Sequence, residues 1–212
     1  MERTALSSDE QLFLDGGEPA MTQLVGRFER PLFRFLLQLT GDAHLAEDLF
    51  QETFLRLHRA RGSYDPAQPL KPYLYRIALN TVHDARARAA ARPATVSLDQ
   101  LPSRARQQAA DDAGPPLQER ITAAAPDPGE DCQRAETRLQ VRTALAALPD
   151  MEREVVVLRV FEGLTFPEIA RVTDTPVATA KSRMLYALRR LRPVLEAYVS
   201  GGAASHTKDA VP

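Results

Sequence analysis

Apolar positions recur at three- and four-residue steps in two separated stretches of the chain, residues 21–90 and about 134–198. The first stretch breaks at Gly41-Asp42 and again across RGSYDPAQPLKP, residues 61–72. Between the two lie Pro93, Pro102, Pro115, Pro116, Pro126 and Pro128 among Ala, Asp and Gln, with no sustained period. No run alternates as a strand would. The pattern predicts an all-α chain of two small helical domains joined by a flexible linker. Its divisions are an N-terminal extension (1–19), a first domain (20–92), the linker (93–133), a second domain (134–199) and a disordered tail (200–212).

Within the first domain, Ala46, Leu49, Phe50, Thr53, Phe54 and Leu57 trace the core face of the helix after Asp42. Glu47, Asp48, Gln51, Glu52 and Leu55 trace the opposite face. A helix from about Pro72 to Ala89 buries Leu74, Ile77, Ala78, Thr81 and Ala85, and turns Tyr75, Arg76, Asn80, His83 and Arg86 outward. Pro31 sits inside the first helical pattern and is expected to kink it.

The second domain is clearly punctuated. Leu139, Val141, Leu145 and Leu148 form a short helix ending before Pro149, and Asp150 is placed to cap the next. That helix buries Val155, Val156 and Leu158 and ends at Gly163. Thr165-Phe166-Pro167-Glu168 is a capping box, which starts a short helix over Glu168–Thr173. After a tight turn through Asp174, Thr175 and Pro176 suit the cap and first position of a last helix. Its stripe of Val177, Ala180, Met184, Leu188, Leu191 and Leu195 is expected to be buried.

Short helix, tight turn and longer helix make a helix-turn-helix. The last helix opens with small residues and cations, against the preference of its own macrodipole. Small side chains let a helix start approach a groove. Ala178, Thr179, Lys181, Ser182, Arg183 and Tyr186 then lie toward solvent, where Lys181, Ser182 and Arg183 can bond phosphates or base edges.

Charge sharpens this picture. The formal net charge is only -1, yet Thr175–Leu195 holds five cations and no acid. Lys71–Arg92 holds five cations against Asp84 alone, whereas Asp42–Glu52 holds four acids and no Lys or Arg. A single cysteine, Cys132, excludes an internal disulfide and a Cys-rich zinc site. His44, His58, His83 and His206 lack ligand spacing, and no Gly-rich phosphate loop occurs. The reading is a cofactor-free, metal-free protein. No stretch is long and apolar enough to span a bilayer and the N-terminus lacks a leader pattern, which predicts a cytoplasmic location.

LPDMEREVVVLRVFEGLTFPEIARVTDTPVATAKSRMLYALRRL resembles region 4 of the extracytoplasmic-function (ECF) sigma factors of the sigma-70 family. LTGDAHLAEDLFQETFLRLHRA and SYDPAQPLKPYLYRIALNTVHDARAR resemble their region 2. The resemblance implies a promoter-specificity subunit with no catalytic activity of its own. Region 2 would bind the beta-prime clamp helices of core RNA polymerase through Asp48, Gln51, Glu52 and Leu55. It would also open the minus-ten element with Lys71, Tyr75, Arg76, Asn80, His83 and Arg86, where Asn80 and the loop 61–71 hold a flipped base. Region 4 would bind the beta flap, and the minus-thirty-five element through Thr179, Lys181, Ser182, Arg183, Tyr186 and Arg189. An anti-sigma factor is implied as an inhibitory partner, and no membrane insertion is expected. Tryptophan, common in the family at the positions of His58 and Tyr73, is absent, and Leu185, Tyr186 and Leu188 stand where polar residues are frequent.

The residues alone leave other readings open. An acidic helix face is also what a solvated helix presents, and Tyr73 fits core packing as well as base stacking. An autonomous helix-turn-helix regulator would need a symmetric dimer on spaced half-sites, for which no heptad run is seen. A metal-dependent nuclease using Glu47, Asp48 and Glu52 would need further ligands.

Overall fold

The computed structural model describes residues 7–91 and 140–204, and all regular structure among them is helical. The predicted linker and Cys132 lie outside the described residues. Helix α1 spans Ser8–Asp15, α2 Glu18–Thr40, α3 Ala43–Ala60 and α4 Leu70–Ala91, with a 3-10 turn at Arg61–Ser63. These elements form the first unit. The second unit comprises α5 (140–146), α6 (Asp150–Val156), a π-helical turn (Val157–Phe161), α7 (Phe166–Val172) and α8 (Val177–Ala204).

The reversal between α2 and α3 takes two residues because each end is satisfied locally. Gly41 adopts a left-handed φ of 73° and its N–H returns to Leu37 O. Asp42 then accepts at one carboxylate oxygen from His44 N (2.8 Å) and Leu45 N (3.3 Å). Helix α2 is continuous through Pro31. The buried set of α3 is Ala46, Leu49, Phe50, Thr53, Phe54 and Leu57, the face read from its period. Thr53 and Thr81 meet between α3 and α4 at 3.3 Å, and each hydroxyl also donates to a carbonyl of its own helix. The buried polar pair is therefore satisfied.

The expected N-terminal extension contains a folded element instead. Ser7 and Glu10 form a reciprocal capping box that starts α1. Phe13, fully buried, meets Tyr64 edge-on with ring centroids 5.2 Å apart. Gly16 closes α1 with φ +59°, and its carbonyl accepts from Arg61 Nη1 at 2.6 Å. A Cβ there would lie 1.4 Å from the guanidinium, so glycine is required on both grounds.

In the second unit Arg153 does the work of a C-cap. Its guanidinium donates to Leu145 O, Ala146 O and Leu148 O at 2.8–2.9 Å, satisfying carbonyls at and beyond the end of α5. Asp150 is the first residue of α6 and Pro149 holds the cap position, which corrects the expected cap. The Asp150 carboxylate reaches Arg153 and Arg86, each at 3.3 Å, instead of its own helix N–H groups. Val155, Val156, Val157 and Leu158 are all buried. Four consecutive buried residues need packing on more than one side, and α6 with its π turn lies between α8 and α2.

Gly163 (φ +70°) ends this segment, and the Thr165–Glu168 capping box opens α7 as read from the sequence. Asp174, with φ 48°, supplies the left-handed turn. Thr175 pairs its hydroxyl with that of Thr173 at 2.9 Å, and α8 begins after Pro176, one residue later than expected. The expected stripe is rotated in two places. Val177 and Leu188 are exposed, Ala187 is fully buried, and Ala180, Met184, Ala187 and Leu191 face the core. Small side chains at Ala180 and Ala187 allow close helix approach; Ala180 was expected in the stripe, whereas a search for bulky apolar residues passes over Ala187. The helix also continues to Ala204, past the predicted start of a tail at 200; 205–212 lie outside the described residues.

Candidate nucleic-acid interface

The structure separates the expected site residues into three surfaces. On α3, Asp48, Gln51 and Leu55 are exposed, Leu55 to 51%. Glu52 is half-buried and accepts from Arg56 Nε at 2.7 Å, while the same guanidinium reaches Asp84 on α4 at 2.6 Å. The Arg56 bridge orients the C-terminal end of the acidic ridge, with Leu55 beside it.

On α8, Lys181, Ser182, Tyr186 and Arg189 are exposed, and Thr179 and Arg183 are partly so. The Arg189 guanidinium lies 6.0 Å from the Tyr186 ring centroid. Arg183 donates to Met151 Sδ at 3.2 Å, and Ser182 donates to Ala178 O. The opening turns therefore present cations and hydroxyls without burying them.

The third surface, on α4, departs most from expectation. Tyr75 is not outward. It is fully buried, edge-on to Phe35 with centroids 5.0 Å apart, and its hydroxyl donates to the Glu162 carboxylate. Burial first, and then the Glu162 charge, drive the phenol pKa far upward, so Tyr75 stays protonated as the donor. Lys71 Nζ donates to Glu162 O at 2.7 Å. His83 Nε2 meets Glu154 Oε1 at 2.8 Å, and Arg86 reaches Glu154 and Asp150 at 3.3 Å each and Leu39 O at 3.0 Å. Arg153 adds a bond to the same Leu39 carbonyl at 3.3 Å.

The other two residues expected on this surface, Arg76 and Asn80, are exposed on an adjoining strip of the helix. Arg76 lies over the Tyr73 ring at 5.3 Å, and Tyr73 in turn meets Tyr64 at 5.0 Å. Buried Tyr64 has its pKa pushed up to about 12, mainly by desolvation, and its hydroxyl donates to Gln68 O within the loop before α4. The loop is held from the other side by α1, where Glu10 Oε1 accepts from Leu70 N at 3.3 Å.

Glu154 and Glu162 were missed by the sequence reading. Both are more than nine-tenths buried. Their signal was available, since Glu154 stands directly before the apolar run Val155–Leu158 and Glu162 precedes a helix-ending glycine, but only tertiary packing supplies the partners. His83 has its pKa raised, chiefly by the hydrogen bond to Glu154 and against partial burial. Glu162 has its pKa raised by burial, opposed by Tyr75, Lys71 and Arg34. Among the described residues, no group of three His, Cys, Asp or Glu is placed to hold a metal ion, and no helix is long and apolar enough to cross a membrane.

Residues 24–92 match the Sigma-70 region 2 family and residues 138–191 the Sigma-70, region 4 family. The chain is 34% identical over 166 residues to the ECF RNA polymerase sigma factor SigL of Mycobacterium tuberculosis, a match covering 78% of this chain and 82% of that protein. It is 31% identical over 183 residues to RNA polymerase sigma factor CarQ of Myxococcus xanthus, covering 86% and 93%. With the ECF RNA polymerase sigma factor SigE of Mycolicibacterium smegmatis it shares 29% identity, over 88% of this chain and 66% of that longer protein. Among solved structures, CnrH in complex with the cytosolic domain of CnrY aligns with a TM-score of 0.60 at 23% identity, over 90% of this chain and 99% of that one. Sigma factor RpoE in complex with the anti-sigma factor NepR, from Bartonella quintana, aligns at 0.57 and 22%, over 82% and 96%.

Proposed function

The chain belongs to the sigma-70 family, in its ECF group, and from that premise we propose that it binds core RNA polymerase and directs initiation at a specific set of promoters. The observation that carries this reading is the pairing, in one chain, of an outward acidic ridge on α3 with an outward cationic helix start on α8.

Asp48, Gln51, Glu52 and Leu55 contact the beta-prime clamp helices, a carboxylate face with one apolar residue matching a basic, partly apolar partner. Thr179, Lys181, Ser182, Arg183, Tyr186 and Arg189 contact the minus-thirty-five duplex, and the second unit also meets the beta flap. Separating strands without fuel costs a few kcal/mol per extruded base, which contacts to the freed strand must offset. Lys71, Arg76, His83 and Arg86 supply charge to that strand, and Asn80 reads a base edge beside the loop 61–71. Tyr75 acts in this face as a buried support and hydrogen-bond donor, not as a stacking platform. The chain performs no bond chemistry itself and works in the cytoplasm with the polymerase. An anti-sigma factor holds it until a signal releases it.

Pull-down with core polymerase, followed by transcription in vitro from a genomic promoter library, tests the reading. Co-elution with core and initiation at a defined subset of promoters is the expected result. Failure of both overturns the proposal, and tight duplex binding without core points instead to an autonomous regulator.

A further inference from the structure

The outward face of α8 is not uniformly polar. Ala180, Met184, Ala187 and Leu191 turn to the core, so the helical period places Ala178, Ser182, Leu185, Tyr186 and Arg189 on the opposite side. All five are exposed. Leu185 and Tyr186, adjacent in the chain, are 50% and 53% exposed and straddle the midline of that face. Single apolar side chains on a surface are ordinary. This pair is different, because the cations and hydroxyls around it contact the duplex under the proposed function. The segment that carries it, Thr175–Leu195, holds five cations and no acid.

That charge selects an anionic duplex as the occupant of this face. Leu185 has no group that can bond a phosphate or pair with a base edge. Set against guanine or cytosine, it would cover O6, N7 or N4 without replacing the water bonds that those atoms lose. The thymine C5-methyl is the one apolar feature that a base presents in the major groove. Contact with it removes apolar surface of both partners from water. Tyr186 sets a ring beside Leu185, and the Arg189 guanidinium, 6.0 Å from that ring's centroid, keeps ring and charge together. Ser182 lies one turn before Leu185 and Arg189 one turn after. Polar groups therefore bracket the apolar pair along about 10 Å of helix, the length of about three base pairs.

We propose that Leu185 and Tyr186 form a thymine-methyl reader, so that the duplex sequence chosen by α8 contains at least one thymine recognised by its methyl group and not by its hydrogen-bonding edge. This rests on the reading of α8 as the duplex-reading helix. Lys181, Ser182, Arg183 and Arg189 supply attraction to the duplex. The apolar pair supplies a choice of base, accepting thymine and rejecting cytosine at the same place by leaving the N4 donors without an acceptor.

The test selects binding sites from a random-sequence duplex library with the full chain, alone and bound to core polymerase. Each thymine of the selected site is then replaced singly by deoxyuridine, which keeps the base pair and the O4 acceptor and deletes only the methyl. Affinities are measured by fluorescence anisotropy. At one or two positions the native chain should lose about fourfold, the scale of one buried methyl-sized group. Leu185→Ala/Tyr186→Ala should bind the thymine site more weakly and should no longer distinguish it from the deoxyuridine site. Both positions are exposed and alanine is the strongest helix former, so the fold is retained. Val160→Ala, which trims a side chain 60% exposed on the π turn, should keep the native ratio.

A selected site with no methyl-sensitive thymine, or a fourfold loss that persists in the double variant, overturns the methyl reader. Core binding and initiation from the selected site are measured in parallel. Normal initiation together with either of those results sinks the methyl reader alone. Failure of core binding and initiation, with a methyl-sensitive site selected by the chain by itself, sinks the sigma reading and leaves the methyl reader standing. Enrichment of no sequence in either arm overturns both.

Discussion

The Tyr75 hydroxyl donates to the Glu162 carboxylate although 87 residues separate them in sequence, and both side chains are buried where the bond forms. One end of the pair sits in the aromatic core of the first unit, edge-on to Phe35. The other end sits just past the π turn of the second. The bond ties the packing of each unit to the docking of the other, and it turns a residue expected to meet DNA into a structural one.

The acidic ridge on α3 yields the most direct prediction. Asp48→Lys/Glu52→Lys reverses charge on an outward face and leaves the core residues of α3 untouched. Core polymerase binding should fall by at least about a hundredfold, the scale expected when like charges are juxtaposed across an interface. The circular dichroism spectrum should not change.

Asn80 is exposed and makes a sharper test of base capture. Asn80→Ala should leave initial promoter binding within about twofold and reduce open-complex formation by about tenfold, as when one hydrogen bond to a captured base is lost. Permanganate footprinting of unpaired thymines, compared with gel-shift affinity, separates the two steps. Equal loss in both argues against base capture.

Arg153 should be the most sensitive charged position in the second unit. Its side chain is only 14% exposed and serves three carbonyls at and beyond the end of α5 as well as Leu39 O of α2. Arg153→Met leaves those acceptors unsatisfied and should destabilise by about 2–4 kcal/mol. A urea melt followed by circular dichroism measures this, and a loss below about 0.5 kcal/mol would contradict the assigned role.

Phe13→Ala should destabilise the first unit by about 3–5 kcal/mol, because a fully buried ring is removed from against Tyr64. Amide exchange across residues 64–70 should quicken beyond that of α3, since α1 also holds Leu70 N through Glu10. A protection pattern unchanged in that loop would show that α1 does not brace it.

Closure of the two units against each other should depend on pH through His83. Glu154 and Asp150 raise its pKa from the model-compound value of 6.5, while burial and Arg86 lower it, and the net shift is upward. Its contribution to closure is complete below 6.5 and is lost as pH rises through the higher, closed-state value. The raised pKa of Glu162, facing Tyr75, Lys71 and Arg34, has the same sign, since protonation relieves its buried charge. An NMR titration of the His83 ring should therefore give a pKa above 6.5 that returns toward 6.5 in Glu154→Gln. A midpoint at or below 6.5 in the native chain would contradict the pairing.

Much of this was legible in the sequence where a single helix decides the outcome. The face of α3, the Gly41-Asp42 reversal, the Thr165–Glu168 box and the left-handed Asp174 follow from periodicity and local backbone chemistry. The last helix was harder to read, because small Ala187 lines its core while bulkier Val177 and Leu188 face out. Helix α1 was missed although Ser7-x-x-Glu10 is a capping box, since its apolar run is short and carries one fully buried side chain, Phe13. Tyr75 and the two buried glutamates were illegible for a different reason. Their partners belong to another unit, and no period within one helix encodes a contact made across 87 residues.

The Arg56 bridge joins Glu52 of α3 to Asp84 of α4, so one guanidinium fixes the end of the acidic ridge to the neighbouring helix. Under the proposed function, the helix that docks on the polymerase and the helix that meets the opened strand are therefore set at a fixed spacing by a single side chain.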